Sequence, residues 1–236
     1  MGQTSATTVT RRSQLDHWHR RHAAVFDTVG TTRRVLRYAD EDATALSVTD
    51  LSTHPRIGFK GAGAGHWLGG RAMDLPVQPN RAIRQSDGSL VARLSDQEHL
   101  VLDNLAADAL QHDDLLLDWQ RDQPARCYPL PRTDSHCWLV LAGEGSAGMM
   151  SSLCAVDLRP GYFDNGAVAQ TSVARVNTIV IRDDAGVLRY HLLADATMAC
   201  YLWNVLLESA TRFGGGATGL EHLLKAPDPE ITHGPA

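Results

Sequence analysis

Three histidines close together near the start of the sequence have the chemistry to bind a metal ion. His17, His19 and His22 lie in residues 13–26, which a capping pattern and apolar spacing predict to be helical. On a helix His17 and His19 point about 200° apart, so only His19 and His22 share a side, and no further ligand follows at a fixed offset. We therefore expect no metal site here and a helix that packs or faces solvent.

A second group places a carboxylate, a hydroxyl and an imidazole in consecutive positions. Asp134, Ser135 and His136 have the residue types of a nucleophilic triad. The members of a triad converge from separate parts of a chain, however, and no G-x-S-x-G turn accompanies this group. The paired carboxylates at 113–114 and 183–184 are predicted to be solvated. The sequence therefore predicts no catalytic residue.

A glycine-rich turn, Gly61-Ala-Gly-Ala-Gly65, follows a predicted strand and opens a short helix. Glycines at this place can let the pyrophosphate of a dinucleotide approach a helix N-terminus. The pattern departs from G-x-G-x-x-G because His66 occupies the position of the third glycine, and no acidic residue follows on a clear next strand. A tight turn is the favoured interpretation.

Composition and charge exclude several classes of protein. The 236 residues carry a net charge of −5 and only two lysines, Lys60 and Lys225, so a nucleic-acid-binding stripe is not expected. The apolar stretches are far shorter than the roughly 20 residues of a membrane helix, and no signal peptide is recognisable, which predicts a cytoplasmic protein that does not enter a membrane. The four cysteines form neither a zinc-binding nor a disulfide pattern.

The elements that must position these residues occur in a pattern that repeats. Each copy contains a strand, a glycine turn, a short helix, a hairpin with an Asp and Gly turn, and a longer helix. This repeat predicts an α+β fold of two ferredoxin-like strand-helix-hairpin halves that pack as layers. The predicted divisions are a flexible N-terminus (1–12), a first half with an N-terminal helix (13–122), a proline-rich boundary (123–133), a second half (133–213) and a flexible tail (225–236).

One strand of the second half has a polar face. In residues 168–181, Gln170 and Ser172 alternate with Val173 and Arg175 if the strand continues through them. Two interpretations stay open: a half-exposed strand, or a surface that binds a ligand or another subunit.

Several segments carry a resemblance to a known family. They are residues 48–51, 56–68, 87–94 and 168–182. Together they resemble the small gamma subunit of heterotetrameric sarcosine oxidase, within the wider folate-binding, glycine cleavage T-protein-like aminomethyltransferase family. Residues 15–26 are also similar to that wider family.

The resemblance implies a complex that oxidises the N-methyl group of sarcosine or a related amine on flavin and passes the one-carbon unit to tetrahydrofolate. The flavin is expected in larger flavoprotein partner subunits, and this chain is expected to hold none. Aminomethyltransferases carry an acidic residue just before the hairpin strand that corresponds to residues 90–94. Gly88 and Ser89 stand there in this chain, with Asp87 earlier, which favours an accessory subunit without its own active site.

Two sets of residues follow from this hypothesis. The expected interface residues are Trp18, Trp67 and Trp203, because large aromatic side chains anchor protein interfaces. The alternatives are a stand-alone tetrahydrofolate-dependent aminomethyl or methyl transferase and a folate-binding sensor. For either of these, the residues expected near the folate pocket are Asp87, Arg93, Gln170 and Arg175.

Overall fold

The computed structural model describes residues 11–39, 41, 46–106 and 111–225. Most of the predicted flexible N-terminus (1–12) and of the predicted tail (225–236) lies outside the described residues. The strands are β1 (Ala24–Val29), β2 (Thr32–Tyr38), β3 (Ser47–Asp50), β4 (Arg56–Lys60), β5 (Arg81–Arg84), β6 (Leu90–Ser95), β7 (Glu98–Leu102), β8 (Tyr128–Pro131), β9 (His136–Ala142), β10 (Val168–Val173), β11 (Val176–Arg182), β12 (Arg189–Asp195) and β13 (Gly216–Thr218). The helices are α1 (Asp16–Arg21), α2 (Ala64–Gly69), α3 (Gln111–Asp122), α4 (Gly145–Met150), α5 (Ala199–Thr211) and α6 (Leu220–Lys225).

The predicted internal repeat is present in the structure. The order β4-α2-β5-β6-β7-α3-β8 occurs again as β9-α4-β10-β11-β12-α5-β13. The first copy forms a five-stranded sheet with the order β5-β6-β7-β4-β8. The second forms a six-stranded sheet, β10-β11-β12-β9-β3-β13, in which β3 is inserted between β9 and β13. The predicted α+β class with two strand-helix-hairpin halves is therefore confirmed.

The two sheets pack face to face, with helices on their outer sides. Leu100 and Leu102 of the five-stranded sheet share one buried cluster with Trp138, Val140 and Leu193 of the six-stranded sheet, and we call this cluster the inter-sheet core. Two further clusters lie under α2 and α3 on one side and under α4 and α5 on the other. The space between the sheets is thus where both halves can contribute residues to one site.

The N-terminal region differs from its prediction as one long helix. α1 ends at Arg21, and Ala23 has a positive φ of 52° that turns the chain into β1. The segment from Ala24 then pairs with β2 as a separate two-stranded hairpin. The apolar spacing that predicted helix through residue 26 is divided between a short helix and the first residues of a strand.

The polar segment of the second half is also divided. β10 ends at Val173, and Ala174 and Arg175, with φ of 48° and 67°, form the two-residue turn to β11. Positive φ at both central positions is the geometry that suits the right-handed twist of a hairpin. Arg175 is therefore a turn residue, and the strand predicted to continue through it stops two residues earlier.

The glycine-rich turn before α2 is required by close packing. A Cβ on Gly61 would stand 2.1 Å from the backbone oxygen of Arg126, and one on Gly63 would stand 2.3 Å from that of Ala125. The loop before β8 therefore lies directly against these glycines. This confirms the interpretation as a tight turn and gives the glycines a structural reason. None of the described helices has the length and apolar character needed to cross a membrane.

Candidate ligand cleft between the two sheets

A cleft of about 320 Å³ opens at one end of the space between the sheets. Register places Gln170, Ile179 and Leu193 side by side on β10, β11 and β12. Leu193 in turn pairs with Trp138 of the inter-sheet core, so this row faces the opposite sheet. The cleft is lined by His136, Gln170, Thr171, Asn177, Thr178, Ile179 and Leu193. Its volume lies within the range of small-molecule sites, about 300–1,000 Å³.

The imidazole of His136 is neutral, and its tautomer is fixed by its neighbours. Arg132 Nη1 donates to His136 Nε2 at 3.3 Å, so Nε2 must be an acceptor. Nδ1 then carries the proton and donates to Ser135 Oγ at 2.8 Å, while that hydroxyl donates to the Pro131 oxygen at 3.0 Å. Burial, together with Arg132 and Arg56, lowers the pKa of His136 to about 4.

This arrangement does not form the triad that residues 134–136 could suggest. The imidazole donates to Ser135, which is the reverse of the polarity that activates a nucleophile. Asp134 accepts a hydrogen bond from Arg11 Nη2 at 2.6 Å. With these partners, Asp134, Ser135 and His136 do not make the hydrogen bonds of a triad.

Charged groups beside the cleft are paired with one another. Glu98 binds Arg132 and, at 3.1 Å, Lys60 Nζ. Asp195 accepts from the backbone nitrogen of Thr197 at 2.9 Å and from its hydroxyl at 2.6 Å, and these hydrogen bonds lower its pKa. Both oxygens of Glu98 and both ring nitrogens of His136 are thus engaged, whereas the two hydrogen bonds to Asp195 fall on one oxygen, Oδ1.

Two amides supply the hydrogen-bonding capacity that is left. Gln170 Nε2 donates to the Leu94 oxygen at 2.7 Å and to Asn80 Oδ1 at 3.1 Å, which fixes the amide across the two sheets. Within the described part of the chain, neither the side-chain oxygen of Gln170 nor the amide of Asn177 has a hydrogen-bond partner. The cleft can therefore bind a neutral polar group through amide donors and acceptors, and the ionisable residue in its lining, His136, has both ring nitrogens engaged.

Arg56 holds the loop that carries His136. Its guanidinium donates to the backbone oxygens of Ser52 (3.2 Å), His54 (2.7 Å), Thr133 (3.0 Å) and His136. Burial lowers the pKa of Arg56 to about 10, and Arg11 adds to this effect. One buried cation thereby joins the loop after β3 to the loop before β9, so it positions the cleft histidine.

The four residues predicted near a pocket are placed differently from one another. Gln170 lines the cleft, and Arg93 is next to its partner Leu94, but Arg93 binds the loop oxygens of Pro76 and Val77. Asp87 accepts from the backbone nitrogen and hydroxyl of Ser89 in the turn between β5 and β6. Arg175 is in the exposed turn between β10 and β11. The structure brings Gln170 and the Arg93 segment together, and it places Asp87 and Arg175 in separate hairpin turns.

The three predicted interface tryptophans also differ in exposure. Trp203 is fully buried in the core under α5. Trp67 is 7% exposed, packs on Phe59 and is covered by the guanidinium of Arg71 at 3.7 Å. Trp18 is half-buried and stacks on His22 with ring centroids 3.7 Å apart, so of the three it is the one whose ring reaches the surface.

The prediction that the carboxylates at 183–184 are solvated is wrong for Asp183, which lies in a buried ionic cluster that joins the two halves near the inter-sheet core. Burial alone would raise the pKa of Asp183, but hydrogen bonds and charges from His191, Arg189 and Arg84 hold that pKa well below its ordinary value. Trp138 Nε1 donates to His191 Nδ1 at 3.0 Å, so His191 Nε2 carries a proton and donates to Asp183 at 3.1 Å. Because Arg84 comes from β5, this carboxylate connects the first sheet to the second.

The N-terminal histidine is part of a second buried cluster. His19 Nε2 is 2.8 Å from Asp50 Oδ2, and His19 Nδ1 is 2.7 Å from the hydroxyl of Tyr38. All three side chains are buried, so this Asp-His-Tyr arrangement fixes α1 to β2 and β3 without access for a substrate. Among the residues that the structure describes, no three histidine, cysteine or acidic side chains are grouped to hold a metal ion.

Sequence reasoning missed the ion pair between Glu98 and Arg132, the arginine that donates to the cleft residue His136. Arg132 and Glu98 lie 34 positions apart and meet only because β8 and β7 both flank β4. Asn177 lay within the polar segment that suggested a binding surface. Its position two residues before Ile179, and so on the same face of the strand, was the available signal. His136 was considered only as part of a triad.

Comparison with known proteins bears on the fold. The sequence matches no protein-family model, and no curated protein matches it. A chain of the heterotetrameric sarcosine oxidase from Corynebacterium sp. U-96 has a similar structure, with a TM-score of 0.66 and 17% identity over 87% of this chain and 97% of that one. The glycine cleavage system aminomethyltransferase T from Bartonella henselae also matches, with a TM-score of 0.66 and 17% identity over 88% of this chain and 59% of that one. This chain has the fold that these two proteins share, the aminomethyltransferase-like fold.

Proposed function

We propose that this chain is an accessory, gamma-type subunit of a hetero-oligomeric complex that oxidises sarcosine or a related N-methyl amine. Flavin and the oxidation chemistry would reside on larger flavoprotein partners. The observation that carries the proposal is the extent of structural similarity. The fold accounts for 97% of one chain of a heterotetrameric sarcosine oxidase, whereas it spans about three fifths of the aminomethyltransferase chain.

The geometry of the cleft supports an accessory role in which this chain does not itself convert substrate. His136 is neutral with both nitrogens engaged, and Glu98 is bound by two cations. Where the resemblance leads one to expect an acidic residue, Ser89 is buried and donates to Asp87 within the turn. A group that accepts a proton from substrate needs a free lone pair within hydrogen-bond reach, and these residues do not offer one.

Affinity purification from the natural source tests this proposal. The chain, tagged at one end, is expected to recover larger polypeptides that carry flavin, and the recovered material is expected to consume oxygen when sarcosine or dimethylglycine is added. Recovery of the tagged chain alone, with no flavin absorbance and no amine-dependent oxygen uptake, would contradict it. The control is the same tag on an unrelated protein of the same host.

A second candidate function is supported by one observation. The cleft has a size and polar lining suited to a small ligand, and among the described residues the side-chain oxygen of Gln170 and the amide of Asn177 have no hydrogen-bond partner. We infer that, if this chain binds folate itself, the cleft is the binding site. Isothermal titration with tetrahydrofolate then gives a measurable Kd for the wild type and a Kd at least about tenfold weaker for Gln170→Ala. Gln14→Ala, a change at an exposed residue that does not line the cleft, is the matched control.

A further inference from the structure

The N-terminal unit, defined as residues 11–37, has a charge opposite to that of the rest of the chain. It contains seven arginines and two aspartates, a net charge of +5, so the remaining residues carry −10. It is also a distinct structural element, because its β1–β2 hairpin forms its own two-stranded sheet. The overall negative charge of the protein therefore conceals one strongly basic region.

The positive charge within this unit is only partly neutralised. Asp16 is shared by Arg33 and, at 3.0 Å, by Arg20, so one carboxylate serves two guanidiniums. Arg12 and Arg21 are exposed and form no ion pair within the described part of the chain. Arginines that remain unpaired on a surface are available for carboxylates of another molecule.

Aromatic and apolar side chains accompany these arginines. The Trp18 ring, stacked on His22, is half-buried, and Val25 on β1 is 37% exposed. Arg33 lies over the ring of Phe26 at 4.5 Å from its centroid. Tryptophan and arginine beside exposed aliphatic groups are typical of protein interfaces, which are enriched in these residue types.

We propose that the N-terminal unit is the surface on which an acidic face of the larger partner subunit docks; this inference rests on the proposed function. An acidic protein surface fits better than nucleic acid or an anionic membrane, because the chain as a whole is negative and repels extended polyanions at long range. A second copy of this chain fits less well. A basic patch on one copy that met an acidic face of the next would form a head-to-tail contact, which does not close by two-fold symmetry.

The test compares two triple variants of the full chain that have the same change in net charge. Arg12→Glu/Arg20→Glu/Arg21→Glu alters the N-terminal unit. Arg121→Glu/Arg159→Glu/Arg212→Glu alters arginines elsewhere, whose side chains are 62–76% exposed. Each tagged chain is purified from the natural source at about 0.05 M and about 0.5 M salt, and the flavin recovered per chain is measured. Circular dichroism and thermal melting of each variant confirm folding, and Arg→Gln versions replace any variant that fails.

Docking through the N-terminal unit predicts that the first variant recovers roughly a tenth or less of the wild-type flavin at low salt, while the second recovers nearly all of it. Equal recovery by both variants would overturn this inference and leave the proposed function intact. No flavin recovered with the wild type would instead overturn the proposed function and the inference with it. The wild type is also tested for binding to labelled duplex DNA, for binding to anionic vesicles and for self-association. If the wild type shows one of these and only the first variant loses it, the assignment of an acidic protein partner is overturned.

Discussion

The buried guanidinium of Arg56 donates a hydrogen bond to the backbone oxygen of His136, whose ring lines the cleft between the sheets. The same guanidinium also donates hydrogen bonds to the backbone oxygens of Ser52, His54 and Thr133. One side chain therefore sets the path of two loops, each of which connects the five-stranded sheet to the six-stranded sheet. The shape of the cleft depends on a residue that does not line it.

Removal of this guanidinium should be costly to stability. Arg56→Met removes the donor to four backbone oxygens, two of them in buried residues and two in half-buried ones, and we expect a loss of about 3 kcal/mol in the free energy of unfolding. Urea unfolding followed by circular dichroism measures it. Arg159→Met, at an exposed arginine whose partner Asp157 is two residues away, should leave the unfolding free energy nearly unchanged. Equal effects of the two substitutions would contradict the role of Arg56.

Histidines make stability depend on pH in a defined window. Burial lowers the pKa of His54 from 6.5 to about 3 and that of His136 to about 4. The unfolded chain then binds these protons at a higher pH than the folded chain does. The free energy of unfolding should therefore fall as the pH decreases below about 6.5, and it should keep falling until about pH 4 to 3.

A substitution isolates the contribution of His54. Neither ring nitrogen of His54 has a hydrogen-bond partner in the described structure. His54→Leu should make the slope of unfolding free energy against pH shallower by about one proton between pH 6.5 and 4. Chemical unfolding at several pH values gives the slope. His66→Gln, at an exposed histidine, is the control, and an unchanged slope in His54→Leu would refute this explanation.

Two glycines at the start of α2 should differ in how much stability an added Cβ removes. Gly63→Ala places a Cβ 2.3 Å from the backbone oxygen of Ala125, so we expect a destabilisation of about 1–3 kcal/mol. Gly65→Ala meets only the His99 side chain at 3.4 Å and removes a glycine from a helix. It should be neutral or stabilise by up to about 1 kcal/mol. Thermal melting distinguishes the two variants. Equal melting temperatures would show that the loop before β8 moves aside for the added Cβ at little cost.

The buried carboxylate of Asp183 should be essential for the contact between the halves. Asp183→Asn removes the carboxylate charge that Arg189 Nη2 binds at 2.9 Å, and removal of one member of a buried ion pair costs about 3–5 kcal/mol. The measurement is again the free energy of unfolding, with the exposed Asp157→Asn as control. A loss no larger than that of the control would mean that water or another group compensates Arg189.

Local sequence signals predicted the repeat well. β4 is the strand predicted before the glycine-rich turn, and the Asp87-Gly88 turn lies between β5 and β6 as expected, because period-two alternation and turn residues act over a few positions. Prolines predicted a boundary at 123–133, and that segment contains the short edge strand β8 with two prolines. Proline is tolerated on an edge strand, so a turn signal and a strand could coexist there.

The cleft could be predicted only in part, because it forms from contacts between the two sheets. Gln170 was found from its place on a polar strand, but its partner Leu94 lies 76 positions away. The sequence predicted no role for Arg56, since nothing local indicates that its side chain turns toward four backbone oxygens. Asp87 and Arg175 were linked to a pocket by their residue types, and their positions in hairpin turns depend on register and backbone conformation.

Native mass spectrometry of the assembly recovered with the tagged chain tests the central claim most directly. The account predicts a single complex in which this chain is bound to larger subunits, with all of the flavin on those subunits. It also predicts that the isolated chain transfers no one-carbon unit to tetrahydrofolate. A free monomer that carries folate and converts it without any partner would contradict the account.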